Sequence, residues 1–96
     1  GRGVIQDYKQ AAYWYQKAAN QDYASAQYSL GVMYTNGRGV IQNYMQAEMW
    51  GLLAKYNGNK KAKLLSFVEN KLSRSQIEQA QNMARQCLSS KYIQCY

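Results

Sequence analysis

Gly37-Arg38-Gly39-Val40-Ile41-Gln42-Asn43-Tyr44 decides the fold, because the same string stands 36 residues earlier as Gly1-Arg2-Gly3-Val4-Ile5-Gln6-Asp7-Tyr8. The first six positions are identical and the seventh changes only from Asp to Asn. The likeness runs on at the same offset through Gln10 and Gln46, Ala11 and Ala47, Trp14 and Trp50, Ala18 and Ala54, and Ala26 and Ala62. A period between about 20 and 50 residues is the signature of stacked supersecondary units that bury their apolar faces only against one another. Such a chain offers a surface for binding before it offers a reaction centre.

The units read as helices. Asp7 with Gln10, Asn43 with Gln46 and Ser73 with Gln76 stand at the spacing of a capping box, so a helix starts after each. Ala11, Ala12, Tyr15, Ala18 and Ala19 recur at three and four residues, and Tyr44, Ala47, Gly51 and Ala54 hold the matching face of the second copy. Between them Ala26, Leu30, Met33 and Tyr34 form a stripe over Tyr23 to Thr35, with Gly31 allowing a neighbouring helix to come close and Asn36-Gly37 closing the segment. Asn57-Gly58-Asn59 breaks the chain again. Lys60 to Lys71 then reads as a helix with Ala62, Leu65, Val68 and Leu72 inward, and Ile77, Ala80, Met83, Ala84 and Cys87 mark a last one. With no proline in the chain, the helical pattern is uninterrupted. The expectation is an all-α fold: an α/α superhelical solenoid of antiparallel helix pairs, about five helices. All 96 residues form one domain, with 1–36 a partial copy plus a repeat, 37–62 the second copy and 63–96 the capping helices.

The run from Ala24 to Trp50 resembles a SEL-one-like repeat, a relative of the tetratricopeptide repeat. Ala24-Ser25-Ala26-Gln27, Leu30-Gly31-Val32-Met33-Tyr34, Gly37-Arg38-Gly39-Val40 and Tyr44-Met45-Gln46-Ala47-Glu48-Met49-Trp50 carry the likeness in order, and Trp14-Tyr15-Gln16-Lys17-Ala18-Ala19 repeats the ending. The resemblance covers residues 1 to about 62, and the final helix is similar to the C-terminal cap of bacterial members. It implies a right-handed solenoid that binds a protein or peptide on its concave face. In tetratricopeptide-like stacks the helix holding Ser25, Tyr28, Val32 and Thr35 lines the inner groove, and these four are the candidate partner-binding residues. Tyr8, Trp14, Tyr34, Tyr44 and Trp50 fall on repeat positions and are expected in the core. The sequence opens in the middle of a repeat, which leads to an expectation of self-association through an uncovered flank at Tyr8, Ala12, Tyr15 and Ala19.

Cys87 and Cys95 are eight apart, and in an unbroken helix they would stand about 12 Å from each other, too far for a bond. Ala18 with Ala26 and Ala54 with Ala62 share that offset across a turn between helices, so the last helix is expected to end near Ser89-Ser90 and the tail to fold back. A disulfide between Cys87 and Cys95 is then the favoured reading, against two free thiols or a metal half-site, as in cysteine-rich secreted relatives of this family. If it forms, the compartment is oxidising: periplasmic or secreted.

Twelve Lys and Arg face five Asp and Glu, a net charge of +7, and eight of the basic groups lie in residues 49–96. Lys55, Lys60, Lys61 and Lys63 therefore compose a candidate polyanion site, although solvated lysines keeping a small domain soluble explain the same charges, and nucleic acid is not the favoured partner. No stretch approaches the 18 or so consecutive apolar residues of a membrane span. The chain has no histidine, which excludes His-based triads and His-Glu-x-x-His zinc helices. A penicillin-binding or β-lactamase-like activity, described for some cysteine-rich relatives, would call for Ser-x-x-Lys, and no serine here has Lys three residues on. Neither catalytic residues nor a cofactor nor a metal site is expected.

Overall fold

Three helices begin where a short polar side chain can cap them, and three end in the same left-handed turn. The computed structural model describes residues 7–61 and 63–95, so the first-copy loop Gly1 to Gln6 and the inward position expected of Ala62 lie outside the described residues. Five helices follow in order: α1 (Tyr8–Ala19), α2 (Ala24–Asn36), α3 (Tyr44–Tyr56), α4 (Lys63–Glu69) and α5 (Arg74–Ser89), with no strand among the described residues. The fold is that of an all-α helical-repeat solenoid. At seven residues, α4 is shorter than the Lys60–Lys71 span expected of it.

The caps explain the starts. Asp7 Oδ1 accepts from the Gln10 amide at 3.0 Å and Asn43 Oδ1 from the Gln46 amide at 3.0 Å. Only Ser73 and Gln76 close the full reciprocal box. Gln46 departs from the expected pattern because it is buried, and its Nε2 donates to the carbonyl of Cys95 at 3.3 Å instead of reaching back to its own cap.

The ends repeat more faithfully. The Tyr23 amide donates to Ala18 and the Asp22 amide to Ala19; the Asn59 amide donates to Ala54 and the Gly58 amide to Lys55; the Tyr92 amide donates to Cys87 and the Lys91 amide to Leu88. Each is a Schellman motif, whose C′ residue must take positive φ. Asp22, Gly58 and Lys91 do so, at 68°, 103° and 56°. The third turn folds the tail after Ser89 back along α5, as the eight-residue offset between the cysteines suggests.

At the centre lies α3, packed against α2, α4 and α5, and buried without a break from Gln46 to Gly51. One core gathers Ala19, Leu30, Met49, Trp50, Leu53 and Cys87; a second joins Ala47 to Leu64 and Val68. Two glycines let α4 approach this closely. A Cβ on Gly31 would stand 2.6 Å from Leu64 Cδ2, and one on Gly51 would stand 2.8 Å from Leu65 Cδ2.

Two expectations about α1 are corrected. Ala12 and Ala19 are not an uncovered flank: they are 7% and 0% exposed, because α1 turns them onto α2. Trp14 is not in the core. It is 58% exposed while its copy Trp50 is fully buried, since Trp50 is covered by α5 and the ring of Tyr92, whereas α1 packs chiefly on α2.

Candidate partner-binding groove

The groove is built where α1 and α2 lie side by side and the chain after α3 crosses them. Tyr8 and Tyr15 come from α1 two turns apart, Tyr28 and Val32 from α2 at i and i+4, and Lys61 from the segment before α4. Together they line an open trough of about 420 Å³. Tyr28 and Val32 are half-buried because their inner edges pack on the Ala47–Leu64–Val68 core, which leaves their outer edges to the trough. Tyr8 and Tyr15 are 38% and 40% exposed.

Of the four residues singled out in the sequence, Tyr28 and Val32 thus come together. Ser25 is exposed one turn short of the trough and is not among its lining residues. The Thr35 hydroxyl donates to the Gly31 carbonyl at 2.8 Å, the back-bond of a helical threonine, and is turned into its own helix. Sequence reasoning missed Tyr8 and Tyr15 as companions of Tyr28, having assigned them to core or self-association. The signal that could have found them is the i, i+7 spacing of Tyr8 and Tyr15 along a helix that must flank α2.

Two cations stand over the aromatic walls. Lys61 Nζ lies 5.6 Å from the centre of the Tyr28 ring. The Arg38 guanidinium lies 5.2 Å from the centre of the Tyr8 ring and donates to its hydroxyl at 3.1 Å. Arg38 reaches Tyr8 because Gly39, at φ 77°, brings the α2–α3 loop against the start of α1; a Cβ there would fall 2.2 Å from the Tyr8 carbonyl oxygen. Lys61 also borders a second recess, where two further lysines gather. Lys55, Lys60 and Lys61 line this recess of about 330 Å³ with Gly58 and Asn59.

Behind the groove the tail locks the frame. The sulfurs of Cys87 and Cys95 stand 1.96 Å apart, at bonding distance. Gln27, buried in α2, donates to the Ala19 carbonyl at 3.0 Å and to the Tyr92 hydroxyl at 3.1 Å, while its Oε1 accepts from Asn57 Nδ2 at 2.9 Å. The Tyr92 hydroxyl donates in turn to Asp22. Burial and the Asp22 carboxylate beside it push the Tyr92 phenol above its ordinary pKa. One buried carboxyl is unlike the rest: Glu48, fully buried in α3, has its pKa pushed up to about 9 by burial and by the Glu69 carboxyl against it.

No group of three or more His, Cys, Asp or Glu residues that could hold a metal occurs among the described residues, and none of their helices is long and apolar enough to cross a membrane.

Stacked helix pairs and a C-terminal turn that copies the turns between them define a helical-repeat protein. The chain belongs to the Sel1 repeat family, whose model matches residues 1–23 and 24–59. That family is in general a protein–protein interaction module. Comparison with curated proteins and with solved structures gives no significant match.

Proposed function

We propose that this chain is a non-catalytic scaffold that holds a peptide segment of a partner protein in the trough of Tyr8, Tyr15, Tyr28 and Val32. The observation that carries the reading is the trough itself: aromatic side chains from two helices converge on one open recess, where Tyr28 and Val32 have their inner edges pinned by the core. Pinned rings lose little freedom when a partner arrives, so more of the contact energy appears as affinity. Ser25 and Thr35 belong at the margin of this surface, where a longer partner would pass.

A photoreactive amino acid at Ser25 or Tyr15 would couple to the partner in the producing cell, and one at Glu78, exposed on α5, would not. Equal coupling from Glu78, or coupling from none of the three, would remove the reading. The basic recess of Lys55, Lys60 and Lys61 supports a second reading, polyanion binding, because three cations border one concavity. Salt separates the two: phosphate contacts weaken steeply between low and moderate salt, and a tyrosine trough does not.

The Cys87–Cys95 pair supports a bonded staple and an oxidising compartment, periplasmic or secreted. Intact mass about 2 Da below that of the reduced chain is the expected result; two free thiols in protein taken from its native compartment would end the argument for location.

A further inference from the structure

The proposed trough has a charge pattern that selects among peptides. Its lining includes one cation, Lys61, and no carboxylate. Two of its tyrosines each carry a cation over the ring, Lys61 over Tyr28 and Arg38 over Tyr8. Neither cation forms a salt bridge with a carboxylate of the chain among the described contacts, and the chain as a whole is at +7. A Lys or Arg held over an aromatic face is already partly desolvated, with its remaining N–H donors facing outward, so a carboxylate that arrives there meets a donor that has lost part of its water.

We infer that the partner segment is acidic: an extended peptide carrying a large apolar or aromatic side chain for the tyrosine trough, flanked by Asp or Glu side chains that pair with Lys61 and Arg38. This rests on the trough being the partner site. The apolar residue fills the recess and supplies most of the affinity; the carboxylates set register and steer encounter. Single-stranded nucleic acid also joins negative charge to stacking groups. It fits less well, because a phosphate backbone calls for a row of cations along its track, whereas the trough's own lining holds only Lys61, with Arg38 over the Tyr8 ring, and Lys55 and Lys60 lie in a neighbouring recess that shares Lys61.

The test is selection of random dodecapeptides displayed on phage against the full chain with its cysteines oxidised, repeated with Arg38→Ala/Lys61→Ala, Tyr28→Ala and Tyr15→Ala. Tyr15 is included because it packs away from the α4 core, so its loss leaves the fold intact if Tyr28→Ala does not; thermal melts confirm which variants are folded. The wild-type pool is expected to show Asp and Glu enriched at least threefold next to an aromatic or large aliphatic residue. The double variant should keep the apolar preference and lose the acidic one, and the tyrosine variants should lose both. A wild-type pool with apolar enrichment but neutral or basic flanks overturns the acidic inference and leaves the trough standing. No enrichment, or a pool unchanged by a folded Tyr15→Ala, overturns the trough itself. Fluorescence anisotropy with labelled dT12 gives the remaining outcome: binding tighter than the best selected peptide, and abolished by Tyr15→Ala, would assign the trough to nucleic acid and overturn the inference.

Discussion

The backbone amide of Tyr92 donates to the carbonyl of Cys87 at 2.7 Å, and this one bond ties together three features of the C-terminus. It ends α5, it turns the chain so that Cys95 returns to Cys87, and it lays the Tyr92 ring parallel to Trp50, with centroids 6.4 Å apart and planes 7° from parallel. Cys87 holds in α5 the place that Ala18 and Ala54 hold in α1 and α3, the carbonyl that accepts from the amide five residues on. The tail thus copies the turn between repeats and brings the two sulfurs to bonding distance.

Reduction, or the double substitution Cys87→Ser/Cys95→Ser, is expected to cost about 2–3 kcal/mol, the chain-entropy value for so short a loop. Urea unfolding with and without reductant measures it. The two perturbations should agree, since each removes the same constraint on the unfolded chain, and a loss in the substituted protein alone would point to packing at Sγ instead.

Tyr92→Phe separates the ring from its hydroxyl. The stack on Trp50 persists while Gln27, Asn57 and Asp22 lose a shared partner, at a cost of about 1 kcal/mol. Tyr92→Ala also uncovers Trp50 and should cost about 2–3 kcal/mol. Tryptophan emission distinguishes them: only Tyr92→Ala should shift the buried Trp50 component to the red, exposed Trp14 contributing a constant background.

The positive-φ positions respond differently to glycine. Lys91 takes φ 56° at the end of α5, so Lys91→Gly removes a left-handed penalty of about 1–2 kcal/mol and adds back roughly half of it as unfolded-chain entropy, a net gain in melting temperature. Asp22 takes φ 68° too but also accepts the Tyr92 hydroxyl. Asp22→Gly is therefore expected to be close to neutral, and Asp22→Ala, which keeps the backbone cost and loses the bond, to be destabilising by about 1–2 kcal/mol.

Gly31→Ala should cost about 1–3 kcal/mol by overpacking, because the new methyl would meet Leu64 Cδ2 at 2.6 Å and the Ala47 carbonyl at 3.3 Å. If Leu64 is the obstacle, Gly31→Ala/Leu64→Ala should be less destabilised than the two single costs together, the non-additivity expected of touching residues.

These responses also show which parts of the molecule were legible in the sequence. Local signals carried far: the caps at Asp7, Asn43 and Ser73, the glycine at Gly31 and the bend before Cys95 all depend on residues a few positions apart. Identity between copies carried less far. Trp14 and Trp50 occupy the same repeat position, yet one is exposed and the other buried, because burial belongs to whatever lies across the helix and α5 packs chiefly across α3. Periodicity likewise assigned one inward face to α3, while three neighbours bury it on nearly every side. For the trough, Tyr28 and Val32 could be found from the stripe on α2; Tyr8, Tyr15 and Arg38 required knowing that α1 and the Gly39 loop fold against it.

Glu48 stands where the first copy has Ala12, and the exchange places a carboxyl in the core of α3 beside Glu69 at the end of α4. Burial first, and then the neighbouring carboxyl, raise its pKa from 4.5 to about 9, so near neutral pH the folded state holds a proton that the unfolded chain has released. Stability must then fall as pH rises between those two values, because the native state binds more protons throughout that window, and the contribution levels off above and below it. The other charged groups on the elements packed against α3 do not offset this: Lys71 lies over the Phe67 ring, Arg85 donates to Asn82, and Lys63, Arg74 and Glu78 are exposed. Glu48→Gln keeps the shape, supplies a permanent N–H donor for Glu69 and removes the titration. It is expected to match the wild type near pH 5 and to exceed it at pH 8 by at least about 1 kcal/mol, roughly 4–8 °C in melting temperature. Thermal melts across pH 5 to 9 decide the matter, and parallel pH profiles for the two proteins would show that Glu48 is ionised in the fold.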